Sequence, residues 1–147
     1  MVREVQDIFE LLTAVHRTMD GMVEDLTDEQ WMKKPLPNFN NIVSVFDHVN
    51  RVEARFLSIL SGAPEAIDTQ LPFHTDTWDL KEVRDGWSHA LMNAEQVFSS
   101  LNVVQLEEEA VTLGIGKLNK RQLLSYMVAH TAHHRGQIPL IKKLLLS

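Results

Sequence analysis

The stretch Tyr126-Met127-Val128-Ala129-His130-Thr131-Ala132-His133-His134-Arg135-Gly136-Gln137 decides how this chain is read. Three of its seven histidines fall within five residues there. The i, i+4 spacing of His130 and His134 puts both on one face of a helix, about 40° apart at about 100° per residue. Leu123, Met127, Ile141 and Leu145 project to nearly the same angle, so the pair lies in the middle of an apolar stripe. Imidazole nitrogens buried without partners are costly, and a divalent metal that takes their lone pairs removes that cost.

Around this stretch the sequence predicts a helix that starts at Asn119 and continues to Leu146. Asn119 is placed as its cap, with Gln122 three residues on. Gly136 and Pro139 sit inside it, and Pro139, lacking a backbone donor, should bend the helix one turn before it. The rival reading stops one helix near Arg135 and starts another at Pro139. The apolar phase held from Leu123 to Leu145 favours a single kinked helix.

Three further helices follow from apolar residues at three- and four-residue intervals. The first runs from about Val2 to Leu26, with His16 beside its stripe. It reads either as a partly buried or surface histidine or as a residue lining the site. Thr27 and Gln30 form a capping box for a short turn through Trp31, which ends at Pro35 and Pro37. The second spans about Ile42 to Leu60 behind a cap at Asn40 or Asn41. His48 shares its apolar face with Val45 and Val52, while Arg51, Glu53 and Arg55 are expected in solvent. Residues 65–77 show no periodicity and read as one long crossover connection, with Phe73, His74 and Trp78 able to fold over an end of the molecule. The third runs from about Leu80 to Leu101, with His89 on its surface. Residues 102–117 read as a short irregular or extended connector, with strand-like composition at Val103-Val104 and Val111-Thr112-Leu113.

These elements predict an all-α single domain over residues 1–147, a four-helix bundle with a long crossover connection. The length of 147 residues suffices for a proper core. A net charge of −6 disfavours binding to nucleic acid and to anionic membrane surfaces. There is no cysteine, hence no disulfide and no thiolate ligand. The charged N-terminus lacks a signal-peptide core, and no apolar run approaches a membrane span. A soluble, cytoplasmic protein is expected.

Bundle cores build metal sites from facing helices, and two known patterns fail here. A di-iron site needs Glu-x-x-His, which the sequence lacks. A zincin needs His-Glu-x-x-His, and here the interval is His130-Thr131-Ala132-His133-His134, with ligands but no glutamate base. His48 is the best third ligand, being the other histidine central to a core face. Three histidines leave a coordination position open, which is the catalytic pattern. Imidazoles suit several divalent metals. His133, about 60° from His130, reads as rim, with the alternative that it replaces one ligand. Arg135 points away from the stripe.

At these residues the chain resembles a known family. His130-Thr131-Ala132-His133-His134-Arg135-Gly136-Gln137-Ile138 resembles the C-terminal His-x-x-His-His-Arg-Gly-Gln motif of the DinB family, the DinB/YfiT-like metalloenzymes named for DNA-damage-inducible proteins. The likeness extends over nearly the whole chain, including the helix start at Leu26–Gln30, the histidine at His48 and the cap at Asn119. It implies a four-helix bundle with an up-up-down-down-like crossover and a metal held by His48, His130 and His134. Zinc and nickel are the metals it implies, and a homodimer the assembly. Related members include bacillithiol S-transferases and mycothiol-dependent maleylpyruvate isomerases.

The leading expectation is therefore a metal-dependent enzyme that activates water or a low-molecular-weight thiol for hydrolysis or S-transfer on a small substrate. With no cysteine in the chain, a thiol nucleophile comes from outside. His133, Tyr126 and Asp47 are the candidates for a general base. The rivals are a non-catalytic module whose metal stabilises the fold or senses stress, and an interaction domain whose histidines are merely core residues.

Overall fold

Asn41 sets the start of the helix that carries His48. Its side chain accepts from the Ser44 N–H at 3.0 Å, and Ser44 Oγ accepts from the Asn41 N–H at 3.1 Å. The Asn41 amide also donates to the Met32 carbonyl at 2.9 Å, tying the preceding short helix to this start. In this computed structural model, which describes residues 1–147, the chain is mostly helical. The helices are α1 (Arg3–Val23), α2 (Asp28–Met32), α3 (Ile42–Leu60), α4 (Leu80–Ser99), α5 (Lys120–Arg135) and α6 (Gln137–Leu145). The capping boxes at Thr27/Gln30 and Asn119/Gln122 both form as the sequence predicts.

The four long helices α1, α3, α4 and α5 pack around a shared core. Their directions follow from which ends meet. Arg121 at the start of α5 bonds Glu4 at the start of α1 at 2.9 Å, and Lys142 on α6 reaches the Met22 carbonyl at the end of α1, so these run together. Phe9 meets Phe98 edge-on, so α4 opposes α1. Phe46, early in α3, meets Trp87 of the first half of α4 edge-on, and the later Phe56 and Leu57 share a core cluster with Ala94 and Phe98 at the end of α4, so the two are parallel. A parallel pair needs a long return, which residues 61–79 provide. The order of directions is up, down, down, up, unlike the up-up-down-down-like order that the family resemblance implied.

The apolar interior is in two parts. One gathers Leu12, Phe56, Phe98, Leu123 and Met127; the other gathers Met19, Phe46, Val49, Ile138 and Ile141. On α1, α3 and α5 the residues between the two parts include buried polar side chains: His16, His48, Glu53, Thr131 and His134. A polar layer thus crosses the middle of the helix packing. Glu53, expected in solvent, is only 2% exposed. It accepts from His16 Nε2 at 2.9 Å and from Thr131 Oγ1 at 2.7 Å, the partners that make a buried carboxyl tolerable. His16 lies in neither expected place: it is buried, stacked on Trp87 with ring centroids 3.9 Å apart, and bound to Glu53.

Two further expectations are corrected. Within the stretch read as an irregular or extended connector, residues 102–117, the strand-like Val111–Leu113 does form a strand, whereas Val103-Val104 lies in a turn. The stretch contains a 3₁₀ turn at Gln105–Glu107 and an antiparallel hairpin, β1 (Glu109–Leu113) and β2 (Gly116–Asn119). Val111, Leu113 and Leu118 dock on the core, which gives the alternating residues of β1 a face to bury. Gly116, at φ 123°, takes a conformation that side chains rarely adopt. The C-terminal helix is interrupted at the single residue Gly136, between the two alternatives weighed above. Pro139 cannot donate to the Arg135 carbonyl, so the break falls one turn before it. The apolar phase survives, with Ile138 and Ile141 fully buried.

Candidate metal centre

Two helices and one connection build the site. The cap at Asn41 and the apolar face of α3 aim His48 inward, and the cap at Asn119 sets the phase of His130 and His134 on α5. His48 Nε2 lies 3.2 Å from His130 Nε2, and His134 Nε2 lies 3.1 Å from the same atom. One nitrogen from each of the three residues falls within 4.8 Å of the others. His48 is 3% exposed and His134 8%, with His130 half-buried.

The opposite ring nitrogens fix which atoms face inward. His48 Nδ1 donates to the Thr69 carbonyl at 2.6 Å, so its Nε2 carries a lone pair. His134 Nδ1 donates to Gln137 Oε1 at 2.9 Å, with the same consequence. Both lone pairs aim at His130 Nε2, whose ring offers an N–H to one of them at most. His130 Nδ1 is buried without a partner. A cation shared by the three nitrogens answers all three lone pairs at once, so this donor set fits a divalent metal. Such hydrogen bonds from the remote ring nitrogen are the usual support of metal-bound histidine.

Electrostatics keep the rings neutral, which is the ligating form. Burial, then repulsion from His134, His48 and His133, pulls His130 from the usual 6.5 to about 3. Burial likewise brings His134 to about 4, against the opposing pull of its bond to Gln137. Burial also lowers His48, more than the Thr69 carbonyl raises it.

A cavity of about 390 Å³ opens on the cluster. Phe73, from the connection, covers His48 with ring centroids 4.5 Å apart. Phe56, Val52 and the hairpin residue Leu113 make the apolar walls. Tyr126 lines the cavity one turn from His130, the rings stacked at 6.4 Å. The other two candidate bases lie elsewhere. His133 is exposed, its ring against the outer side of His134 at 4.9 Å. Asp47 sits on another face of α3, paired with Arg51 at 2.9 Å, and lines a separate cavity of about 520 Å³.

Sequence reasoning missed four contributors. The Thr69 carbonyl carries no side-chain signal. Gln137 stands at i+3 from His134, but only across the break at Gly136. Arg55, expected in solvent, is half-buried and lines the cavity at i+7 from His48, a spacing that marks the same face. The Glu53–Thr131 pair joins helices far apart in the chain.

No curated protein sequence matches this chain. Among solved structures, a conserved protein from Enterococcus faecalis superposes with a TM-score of 0.79 at 13% identity, over 96% of each chain. YfiT from Bacillus subtilis superposes with a TM-score of 0.73 at 16% identity, over 97% of this chain and 88% of its own. YfiT is described as a probable metal-dependent hydrolase with an unusual four-helix bundle topology. Identities this low speak to the fold alone. The sequence profile of the DinB family matches residues 1–145, and the chain belongs to that family.

Proposed function

We propose that this protein is a metal-dependent enzyme built as a four-helix bundle with a long crossover connection, acting on a small molecule by hydrolysis or by S-transfer from a low-molecular-weight thiol. One observation carries the reading: the Nε2 lone pairs of His48 and His134, each locked by a bond at Nδ1, converge on His130 Nε2. His48, His130 and His134 hold the metal, zinc or nickel. When bound, it supplies a Lewis acid that lowers the pKa of a bound water or thiol.

The chain's own residues do the rest. Phe73, Phe56 and Leu113 exclude bulk water and seat the apolar part of the substrate. Tyr126 is the candidate base whose side chain borders the cavity, and we assign proton handling to its Oη. His133 and Asp47 lie outside and act on the charge of the neighbouring histidines. A purely structural metal is normally closed off by four protein ligands, whereas this cluster supplies three and faces a cavity. A homodimer in the cytoplasm, without nucleic acid or membrane, completes the proposal. In its support, no helix is long and apolar enough to cross a membrane.

The test is a panel of activated esters and amides, and of thiol–electrophile pairs, assayed on zinc- and nickel-loaded protein. Turnover that needs the metal and disappears in His134→Ala is expected. Silence across the panel with fully loaded protein contradicts the enzymatic reading.

A further inference from the structure

We propose that Arg55 sets the substrate class of the cavity: its guanidinium holds the carboxylate of a small organic acid whose reacting group faces the three histidine nitrogens. The inference rests on the metal-site reading above and adds the substrate's charge to it.

Arg55 is the one cation among the residues lining the cavity, and no carboxylate lines it. The other arginines packed against the fold have partners. Arg51 pairs with Asp47, Arg84 with Asp28, Arg121 with Glu4 and Glu107, and Arg135 donates to Thr18. No protein group bonds the Arg55 guanidinium; beyond the helix's own backbone bonds, the residue has only its carbonyl accepting from Ser58 Oγ at 2.6 Å. Its guanidinium therefore keeps five donors without a partner in the protein, on a residue that lines the cavity.

Position supports the assignment. His48, Val52 and Arg55 follow at i, i+4 and i+7 on α3 and all line the cavity. Side chains on a helix lean toward its N-terminus, so the long Arg55 stem leans over Val52 in the direction of His48. Gln70, also in the lining, adds a side-chain amide with no partner in the protein, a further donor for an oxyanion.

Charge balance leads to the same ligand. Three neutral imidazoles leave a bound dication its full charge, and Arg55 adds to it. With no acid in the lining, an anionic substrate supplies the compensation. Acids line instead the separate cavity between α3 and α4, where Asp47, Glu53, Asp79 and Glu82 stand with Arg51. A guanidinium fork matches a carboxylate in two parallel bonds, and a cavity of about 390 Å³ suits a small organic acid.

The experiment compares two probes with the same thiol head and similar length, 3-mercaptopropionate and 3-mercaptopropan-1-ol. Binding to zinc-loaded full-length protein is measured by calorimetry on wild type, Arg55→Met and Arg55→Lys, with zinc content and melting curves alongside. Wild type is expected to prefer the acid by about tenfold or more, the scale of a charge-assisted bond. Arg55→Met should reduce that preference to about twofold or less without weakening the alcohol, and Arg55→Lys, which keeps charge but loses the fork, should fall between. Equal binding of the two probes by wild type, binding of neither, or an acid preference that survives Arg55→Met overturns the assignment. If Arg55→Met does not fold, the wild-type ratio and Arg55→Lys still decide. Zinc content separates the two levels: equal binding with zinc in place removes Arg55 alone, whereas failure to hold zinc removes the metal reading beneath it.

Discussion

Thr131 donates its hydroxyl to Glu53 at 2.7 Å in the middle of the helix packing, one residue from the ligand candidate His130. The same carboxyl takes His16 Nε2 at 2.9 Å, so one glutamate on α3 joins α1 and α5 across the core. Replacing Glu53 by Leu leaves two buried groups without partners, each at about 1–3 kcal/mol. Thr131→Val removes one bond and leaves Glu53 its histidine. Urea denaturation should rank Glu53→Leu well below Thr131→Val, with both below wild type. Equal stability of Glu53→Leu and wild type would mean that the pair is replaceable by packing alone.

Gln137 acts on the metal through His134. Gln137→Leu removes the acceptor that fixes Nδ1–H on that ring, and it frees the ring to rotate. Loss of such an outer partner weakens metal binding by about 10–100-fold. A chelator competition should show that loss with little change in the melting temperature of the metal-free protein. Unchanged affinity would mean that packing alone orients His134.

Acid should destabilise the metal-free protein through these rings. His130 at about 3 and His134 at about 4 are depressed below the 6.5 of a free imidazole, and His48 is lowered too. Between those values the unfolded chain binds more protons than the folded one, so stability rises with pH. It is fully present above about 6.5 and is lost as pH falls toward 4. Denaturation of apo-protein from pH 7.5 to 4 should show that decline, and His130→Phe should flatten it. A flat profile in wild type would contradict the neutral, buried cluster.

The four long helices, the caps of α3 and α5 and the inward aim of His48, His130 and His134 were legible because each rests on local periodicity or on a cap three residues from its partner; the cap of α4 at Asp79 was not read. The break at Gly136 was legible to within a residue from Pro139. Other features needed tertiary partners. Glu53 looks like a solvated charge on α3 until His16 and Thr131 arrive from helices distant in sequence. The hairpin at Glu109–Asn119 is short, and its Val111 and Leu113 gain strand character by docking on the core. The directions of the helices are set by pairings such as Phe46 with Trp87 and Phe9 with Phe98, for which periodicity gives no signal.

The most direct test of the metal centre is metal content by plasma mass spectrometry, on untagged protein purified without chelators. Wild type is compared with His48→Ala and His134→Ala. The expected result is close to one zinc or nickel per chain in wild type and loss in both variants, because α3 and α5 share one site. Wild-type protein that carries no metal, and takes up neither zinc nor nickel when they are added, would contradict the central claim and leave three converging imidazoles as an unusually polar core.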